Sequence, residues 1–380
     1  MKRLRKRIAT AVLALAIAVM MLPTQNLQAN DVPTIHVNQT YTKSFENGGE
    51  GECMYRFTAP KNGYFHVELT MTERDGENWR FTSLSVFNSA NEQILETIGD
   101  ARIGYTASTN VFATKAGNVF YFKLKADPSL RLTTVNFKVV YTNSENWENE
   151  YNDSAKTACA LTNNRYKYGI ITCNDRYDYY KMNVTKASKV KFTFGPKEIT
   201  GDSNSWDVEI INSKNNTTFL FTDVSTVKAK TVYLKKGTYY LRVRREYCGV
   251  NVAYKLKYQL CGAAVSTPVI SNVNIKKYKN QSVRYLNSIT FSKNGYVDGY
   301  QVQVAKNKNM SGKYINQKVE RRYNEKNVTS KVIRYSNMSY LKKNLKPKKI
   351  TYYVRVRSYV LDPFGNIIYG NYSKIKSIKK

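Results

Sequence analysis

Apolar residues alternate with polar residues in many short stretches of the chain, a pattern typical of β-strands with one buried face. Turn-forming runs such as KNG, KAGN, KKG and DPFGN separate these stretches, and no long segment has helical periodicity. We therefore predict an all-β fold of three tandem β-sandwich domains that follow a cleaved signal peptide. The clearest alternating stretches are YFHVELT (64–70), VFYFKLKA (119–126), TVNFKVVY (134–141), KVKFTF (189–194), TYYLRVR (238–244), YKLKYQL (254–260), YQVQVA (300–305) and TYYVRVR (351–357).

The domain boundaries are expected at two polar linkers. YTNSENWENEYNDS (141–154) separates two sets of strands, and CGAAVSTPVISNV (261–273) follows the strand YKLKYQL. These linkers predict domains at 32–143, 146–262 and 265–380, each near the usual domain size. The 31 tyrosines and 15 phenylalanines of the chain predict aromatic cores with tyrosine hydroxyls at the rim.

Residues 1–29 have the features of a secretory signal peptide. Five basic residues precede an apolar run from Ile8 to Leu22, and a polar segment then ends at Ala29, where we place the cleavage. The apolar run is shorter than the roughly 20 residues of a membrane-spanning helix, and no second run of that length follows. We therefore expect a secreted, extracellular protein without a transmembrane segment, either free or associated with the cell wall.

The formal net charge of +32 is distributed unevenly along the chain. Residues 31–143 sum to −1, residues 144–262 to +7 and residues 263–380 to +21, with +5 in the signal peptide. A strongly basic domain indicates an anionic partner: a cell-wall polymer, a glycan or an extracellular matrix protein, rather than a specific nucleic acid. The alternative is that the lysines only keep the domain soluble. The residues expected to lead a polyanion contact are Lys342, Lys343, Lys346, Lys348 and Lys349.

The sequence lacks the motifs of known catalytic centres. Its two histidines, His36 and His66, belong to no HExxH motif and to no catalytic Cys/His pair, and no GxSxG motif is present. The five cysteines include no CxxC pair, which argues against a zinc site. We therefore predict a protein that is not an enzyme. Four cysteines lie in the middle third, where one or two disulfides of undetermined pairing can form after export: Cys159, Cys173, Cys248 and Cys261.

Oxygen-bearing side chains are concentrated in ENWENEYNDSAKTA (145–158) and in CNDRYDYYKMNV (173–184). In the first stretch, positions 148, 150 and 152 point to the same side if the segment is extended. Hard oxygen donors suit Ca²⁺, whereas zinc prefers Cys or His and Mg²⁺ requires tighter geometry. The alternative is an exposed acidic linker beside an Asp-rich turn. The candidate ligands are Glu148, Glu150, Asn152, Asp153, Asp175 and Asp178.

The middle domain resembles the bacterial pre-peptidase C-terminal domain. The resemblance lies in the E-x-N-D-S start of ENEYNDSAKTACAL, the G-x-I and D-x-x-D-Y-Y motifs of GIITCNDRYDYYKMNV, and the late strands GTYYLRVRREY and VAYKLKYQL. It resembles in particular the collagen-binding version at the end of clostridial collagenases, in which the two acidic motifs hold two calcium ions that pin the N-terminal linker to the sandwich. The resemblance implies that the six candidate ligands bind calcium.

The collagen-contacting surface of that relative is an aromatic sheet face. The corresponding strand here carries Tyr240 together with the basic residues Arg242 and Arg244, and Tyr247 follows it. We take these four residues as a candidate ligand face. Because no motif fixes the aromatic positions and two of the four residues are basic, collagen binding itself is not carried over.

The two flanking domains resemble known β-sandwich families. Residues 32–143 resemble a second, divergent pre-peptidase C-terminal domain in YRFTAPKNGYFHVELT and KAGNVFYFKLKA, and because the acidic motifs are missing we expect no metal there. Residues 265–380 resemble a fibronectin type III domain in VDGYQVQVAKN and in LKPKKITYYVRVRSYV. On the latter strand, alternate positions from Tyr352 to Val356 are expected to face the core. Such domains are spacers and binding scaffolds, so no function follows from them.

Two functions remain open at this point. The first is a secreted bacterial non-enzymatic binding or adhesion protein of the cell surface or extracellular matrix, stabilised by calcium. The alternative is an accessory or targeting subunit for a separate exported hydrolase, either a protease or a glycosidase. A binding protein should bind wall, glycan or matrix by itself, whereas an accessory subunit should co-purify with an enzyme.

Overall fold

The described part of the chain is entirely β-structure. It contains 26 strands and no helix, so the all-β fold predicted from the period of two is confirmed, and none of it forms an apolar helix able to cross a membrane. The described residues divide into two compact units: the first holds most of those up to 142, and the second holds those from 143 onwards together with 62–64 and 113–115. The computed structural model describes residues 32–46, 51–75, 82–98, 102–126, 132–171, 175–197, 205–245, 252–263, 265–277, 284–292, 295–311, 313–320, 332–335 and 352–378.

Two sheets build the first unit. Its strands are β1 (Thr40–Glu46), β2 (Glu52–Thr58), β3 (Gly63–Arg74), β4 (Ser83–Asn88), β5 (Gln93–Ile98), β6 (Thr106–Ser108), β7 (Phe112–Thr114), β8 (Val119–Lys125) and β9 (Leu132–Asn143). One sheet has the order β1-β9-β3-β6, with β7 also paired to β3, and the other has the order β2-β8-β4-β5. On β3, buried Phe65, Val67 and Leu69 alternate with half-buried residues, as the period of two requires.

The core of the first unit is aromatic. Phe120 on β8 packs against Phe57 and Phe65, with ring centroids 5.3 and 4.9 Å apart, and against Phe112 at 5.8 Å. Phe57, Phe65 and Phe120 are at most 1% exposed. Aromatic pairs at these separations contribute beyond their buried area, so this cluster holds the two sheets of the unit together.

The second unit begins with a pair of sheets that we call the middle sandwich. Its strands are β10 (Cys159–Ala160), β11 (Lys167–Gly169), β12 (Tyr177–Val184), β13 (Ser188–Pro196), β14 (Trp206–Asn212), β15 (Thr217–Val224), β16 (Lys228–Leu234), β17 (Gly237–Arg245) and β18 (Tyr254–Ala263). One sheet has the order β10-β12-β17-β14-β15 and the other β11-β18-β13-β16. The core between them includes Trp206, Tyr180 and Tyr254, each at most 1% exposed. Two of these three largest core side chains carry hydroxyl groups that must find polar partners.

The remainder of the second unit, which we call the C-terminal sandwich, also has two sheets. Its strands are β19 (Ile270–Lys277), β20 (Arg284–Ser292), β21 (Gly299–Ala305), β22 (Lys313–Glu320), β23 (Val332–Tyr335), β24 (Tyr352–Leu361), β25 (Ile367–Tyr369) and β26 (Lys376–Ile378). The orders are β19-β20-β23 and β22-β21-β24-β25, with β26 also paired to β24. On β24, Tyr352, Val354 and Val356 are buried and the residues between them are half-buried, which agrees with the predicted facing of this strand.

A turn after β24 packs against the middle sandwich. Asp362 shapes this turn, because its Oδ1 accepts the N–H groups of Phe364 at 3.0 Å and Asn366 at 2.7 Å. Gly365 has a φ of +78°, a left-handed conformation that glycine adopts without strain. The ring of Phe364 stacks on Tyr239 of β17, with centroids 6.5 Å apart and an interplanar angle of 12°. The middle and C-terminal sandwiches therefore share an aromatic contact.

Replacing Phe120 by alanine should destabilise the first unit by about 3–5 kcal/mol, because it removes a buried ring from three aromatic contacts and leaves a cavity. Hydrogen exchange followed by mass spectrometry should show lost protection in β2, β3 and β8. Tyr105→Ala is the matched control, since Tyr105 is 50% exposed and lies in the same unit. Equal protection in the two variants would contradict the assignment of Phe120 to the core.

Candidate metal centre

The segment 146–152 joins the two sheets of the middle sandwich. The N–H of Glu148 donates to the carbonyl of Tyr168 on β11 at 2.9 Å, and the N–H of Tyr168 donates to the carbonyl of Asn146 at 2.8 Å. At the other end, the N–H of Tyr179 on β12 donates to the carbonyl of Asn152 at 2.8 Å. Because β11 and β12 belong to different sheets, the backbone of this segment is fixed from both sides.

From Glu148 to Asn152 the buried side chains alternate with more exposed ones. Glu148 and Asn152 are 0% exposed and Glu150 is 7% exposed, whereas the intervening Tyr151 is 41% exposed. An extended segment with a period of two accounts for this arrangement. The alternative of an exposed acidic linker is wrong for these residues, because the oxygen-bearing side chains point into the sandwich. Asp153, one position further on, is exposed.

The second acidic motif meets the first one inside the sandwich. Asp178 on β12 is 0% exposed, and Asp175 lies just before that strand. One carboxylate oxygen from each of Glu148, Glu150 and Asp178 lies within 4.8 Å of the other two. Glu150 also belongs to a second set of carboxylate oxygens with the same spacing, together with Asp153 and Asp175.

Glu148 is the most fully hydrogen-bonded member of the cluster. Its Oε1 accepts the N–H of Ile170 at 2.6 Å, and its Oε2 accepts the amide of Asn152 at 3.2 Å and the hydroxyl of Tyr180 at 2.5 Å. The hydroxyl of Tyr254 donates to Asp178 and lies 2.6 Å from the hydroxyl of Tyr180. A network of hydroxyl and carboxyl groups thus connects the segment 146–152 with β12 and β18.

The sequence analysis missed the two tyrosines and the glycine that complete this network. Tyr180 is the second tyrosine of the D-x-x-D-Y-Y motif, and Tyr254 begins the alternating stretch of β18, so each looks like an ordinary core residue. Gly169 leaves room for both hydroxyls, because a Cβ there would lie 2.5 Å from the Tyr180 hydroxyl oxygen. The only sequence signal for these residues was the G-x-I motif. The motif contains the glycine but does not indicate that two tyrosine hydroxyls pack against it.

The cluster contains more acceptor oxygens than the described residues satisfy. Asn152 Oδ1, Asp175 Oδ2 and Asp178 Oδ1 are buried and have no hydrogen-bond partner among them. The described lysines and arginines form no ion pair with Glu148, Glu150 or the two aspartates of the second motif. Two oxygens that bind one Ca²⁺ at 2.3–2.6 Å lie at most about 5 Å apart. The donor set and its spacing therefore fit a hard cation with oxygen ligands.

Burial makes the charged forms of these acids unfavourable without a cation. It raises the pKa of Glu148 to about 7, although hydrogen bonds led by that of Tyr180 act in the opposite direction. Burial and the charge of Asp153 raise the pKa of Asp175 to about 6. The pKa values of Glu150 and Asp178 lie well above their ordinary range because of burial first and the Glu148 charge second. The fold therefore holds acids that need a positive charge nearby to ionise fully.

The candidate ligand face on β17 is engaged within its own sheet. Arg242 Nε donates to a glutamate of β14 at 2.5 Å, and Arg244 Nη2 donates to an aspartate of the same strand at 2.6 Å. Tyr240 is half-buried, and Tyr247 lies outside the described residues. The two cations of this face are therefore neutralised by neighbours, which the sequence pattern did not indicate.

The outer face of β24 carries two arginines, Arg355 and Arg357, that stack on tyrosines which follow this strand. The sequence analysis did not single out this feature. We call these four residues the arginine ladder: Arg355, Arg357, Tyr369 and Tyr372. The guanidinium of Arg355 lies 3.7 Å from the ring centroid of Tyr372, and that of Arg357 lies 3.6 Å from the ring centroid of Tyr369. Each Nε also donates to a buried glutamine of β21, at 2.8 and 2.6 Å. No carboxylate of the described residues pairs with either arginine, so the ladder presents fixed positive groups.

Of two other sets of predicted residues, the cysteines are placed in part and the lysines lie outside the described residues. Cys53, Cys159 and Cys261 are free thiols, which excludes a disulfide between Cys159 and Cys261, and Cys173 and Cys248 lie outside the described residues. The residues predicted to lead the polyanion contact also lie outside the described residues; they are Lys342, Lys343, Lys346, Lys348 and Lys349.

No family model and no curated protein matches the chain. Among solved structures, it is similar to the pre-peptidase C-terminal domain of a collagenase from Bacillus anthracis, at 19% identity and a TM-score of 0.23, over 27% of this chain and 94% of that domain. It is also similar to the tandem CBM22 domains of Xyn10C from Paenibacillus barcinonensis, at 7% identity and a TM-score of 0.23, over 61% of this chain and 99% of that one. The CUB1-EGF-CUB2 domains of rat MASP-1 match at 10% identity and a TM-score of 0.18, over 60% and 99%. Likenesses this weak carry no argument about function.

The metal-free middle sandwich should lose stability as the pH rises from about 5 to 7.5. The pKa of Glu148 is about 7 in the folded state against 4.5 ordinarily, so the folded state binds its proton more tightly and is favoured most at low pH. Across this pH range the shift of Glu148 corresponds to a fall of roughly 2 kcal/mol. Thermal unfolding of the full chain in chelator, across this pH range, measures it. A flat or rising unfolding temperature would contradict the burial of protonatable acids.

Proposed function

We propose that the chain is an exported, non-enzymatic binding or adhesion protein whose middle sandwich is stabilised by calcium. The observation that carries the calcium proposal is the set of partnerless oxygens on Asn152, Asp175 and Asp178, among buried acids that no described lysine or arginine neutralises. Leaving such oxygens buried and unpaired is costly. A calcium ion supplies both the missing partners and the missing positive charge.

The two oxygen sets divide the ligands between two ions. The first ion takes oxygens from Glu148, Glu150 and Asp178, all of which are buried. The second takes oxygens from Glu150, Asp175 and the exposed Asp153. Because Glu150 belongs to both sets, it would serve as a ligand to both ions. Asp153 is exposed, so an ion held by the second set would exchange more easily.

The order of these ligands along the chain supports a pre-peptidase C-terminal domain at 146–262. We extend the proposal to a divergent, metal-free copy at 32–143 and to a basic fibronectin type III-like domain at 265–380. The signal-peptide pattern at 1–29 supports export and cleavage after Ala29. Outside the cell, calcium is abundant enough for extracellular modules with dissociation constants of about 0.1–1 mM.

The arginine ladder supports binding to an anionic polymer, such as one of a cell wall, glycan or matrix. Arg355 and Arg357 are two residues apart on one face of β24, so their Cα atoms are about 7 Å apart along the strand. The tyrosine rings and the glutamine acceptors hold their guanidinium groups in place before any ligand arrives, which lowers the entropy cost of binding. Residues 263–380 carry a net charge of +21, which adds long-range attraction.

Asp178→Asn should raise the stability of the metal-free protein and reduce its response to calcium, because only the second oxygen set stays intact. The substitution removes a buried acid whose ionisation is unfavourable, and it also removes a ligand of the first ion. Wild type should gain about 2.7 kcal/mol at a calcium concentration one hundred times the dissociation constant. Thermal unfolding in calcium and in chelator measures both effects.

Glu145→Gln is the matched control for this experiment, because Glu145 is an exposed carboxylate three positions before Glu148. It should keep the full calcium response. If wild type unfolds at the same temperature in calcium and in chelator, the calcium proposal is wrong. If Asp178→Asn still responds to calcium as wild type does, the ligand assignment is wrong.

The binding function is tested on the mature chain with purified cell walls and with heparin as a soluble polyanion. The double variant Arg355→Gln/Arg357→Gln should lose at least about threefold in affinity, and wild-type binding should weaken as salt rises because exposed charges are screened. Lys306→Gln/Lys308→Gln is the control, since it removes the same charge from exposed positions of the same sandwich. Equal losses in both doubles would favour bulk charge over the ladder. Retention only as part of a complex with a separate hydrolase would favour the accessory-subunit alternative.

A further inference from the structure

A groove of about 560 Å³ lies within the second unit, away from the metal centre. One wall is formed by β15 and β16, the neighbouring edge strands of the two sheets of the middle sandwich. The other wall is formed by Tyr296 and Asp298 before β21 and by residues 361–363 at the end of β24. We call this feature the interdomain groove. Its volume falls within the roughly 300–1,000 Å³ of typical small-ligand sites.

Large apolar side chains remain exposed in this groove. Tyr296 is 60% exposed, Phe219 is 46% exposed and Leu361 is 42% exposed, and all three line the groove. The ring of Tyr296 lies parallel to that of Tyr233, with centroids 6.4 Å apart and an interplanar angle of 6°. Apolar surface gathered in a concave site and rimmed by polar residues is typical of a ligand-binding site. The flat aromatic faces suit a ligand that presents C–H groups to them.

Polar groups of both charges line the same groove. Asp298 Oδ2 accepts the N–H of Leu361 at 2.6 Å, and among the described residues its Oδ1 accepts only the hydroxyl of Tyr296, at 3.4 Å. A carboxylate offers about four acceptor positions, so Asp298 keeps capacity for hydroxyl donors. Lys189 and Lys230 also line the groove, and no carboxylate of the described residues lies within ion-pair distance of either.

The aromatic rings, the carboxylate and the lysines of the groove together restrict the kind of ligand that can bind there. A small inorganic anion would pair with the lysines but would leave the aromatic faces uncovered and Asp298 repelled. A purely apolar molecule would cover the rings and leave the lysines and the carboxylate without partners. A molecule with flat C–H faces, hydroxyl donors and carboxylates satisfies all three.

We propose that the interdomain groove binds a short acidic saccharide, with sugar rings on Tyr296 and Phe219, hydroxyl groups on Asp298, and carboxylates on Lys189 and Lys230. This inference rests on the proposed binding function and names a ligand class for it. The arginine ladder is a separate surface that takes polymers by charge. The interdomain groove selects saccharides by shape, by hydroxyl groups and by carboxylates together.

Calorimetric titration of the full mature chain with trigalacturonic acid, in calcium, tests this proposal, and neutral galactotriose of the same linkage is the companion probe. Tyr296→Ala should weaken binding of the acidic trisaccharide at least about tenfold, which corresponds to the loss of about 1.4 kcal/mol. Lys189→Gln/Lys230→Gln should weaken it by a similar factor and leave the weaker binding of the neutral probe unchanged. Tyr105→Ala and Lys191→Gln/Lys214→Gln are the matched controls, because these exposed residues do not line the groove.

Each other outcome overturns the proposal. Absence of binding would exclude this saccharide class, and binding that is insensitive to Tyr296→Ala would place the saccharide elsewhere. Equal affinity for the two probes would remove the role of the lysines. The calcium response of the wild type and the salt-dependent wall binding do not involve these residues. A failure here therefore leaves the proposed function intact, whereas loss of both of those responses would overturn the proposed function itself.

Discussion

The stability of the middle sandwich depends on how the negative charge of its buried carboxyl groups is neutralised. Glu148 and Asp178 are fully buried beside Glu150, and two tyrosine hydroxyls are their main neutral partners. Removing several negative charges from water is unfavourable unless an opposite charge accompanies them. Several parts of this end of the sandwich contribute to that compensation: Ile170, just after β11, through its backbone N–H, β12 and β18 through hydroxyl groups, and the segment 146–152 through the amide of Asn152.

The first unit and the middle sandwich solve the same packing problem with different chemistry. The first unit fills its interior with phenylalanine rings that need no polar partner. The middle sandwich gives up part of that apolar volume to tyrosines and acids, whose partners must be complete if the arrangement is to be stable. The acids are thus a cost that an apolar core avoids, and this is why a functional reason for their presence is needed.

The sequence predicted the local features of the fold and failed for those that depend on long-range packing. Strands are set by a period of two, so stretches such as that of β17 could be identified from the residues alone. The acidic motifs could be identified because their oxygen donors are adjacent in the chain. Tyr254 could not, because it approaches Asp178 across 76 positions and looks like any other core tyrosine. The arginine ladder escaped for a similar reason, since it needs the stacking of β24 on residues that follow it. The interdomain groove has no sequence signal at all, because its walls belong to separate sets of strands.

The attachment of segment 146–152 to both sheets also bears on how the chain transmits mechanical force. Tension applied along the backbone enters the middle sandwich through this segment, which precedes the first strand of the sandwich. Its hydrogen bonds to β11 and β12 lie at the entry point, so they take the load before the inner strands do. Side chains that cross-link the segment to both sheets, Glu148 above all, distribute this tension over the whole sandwich. The resistance of the middle sandwich to being pulled apart is therefore determined at the place where its acids are gathered.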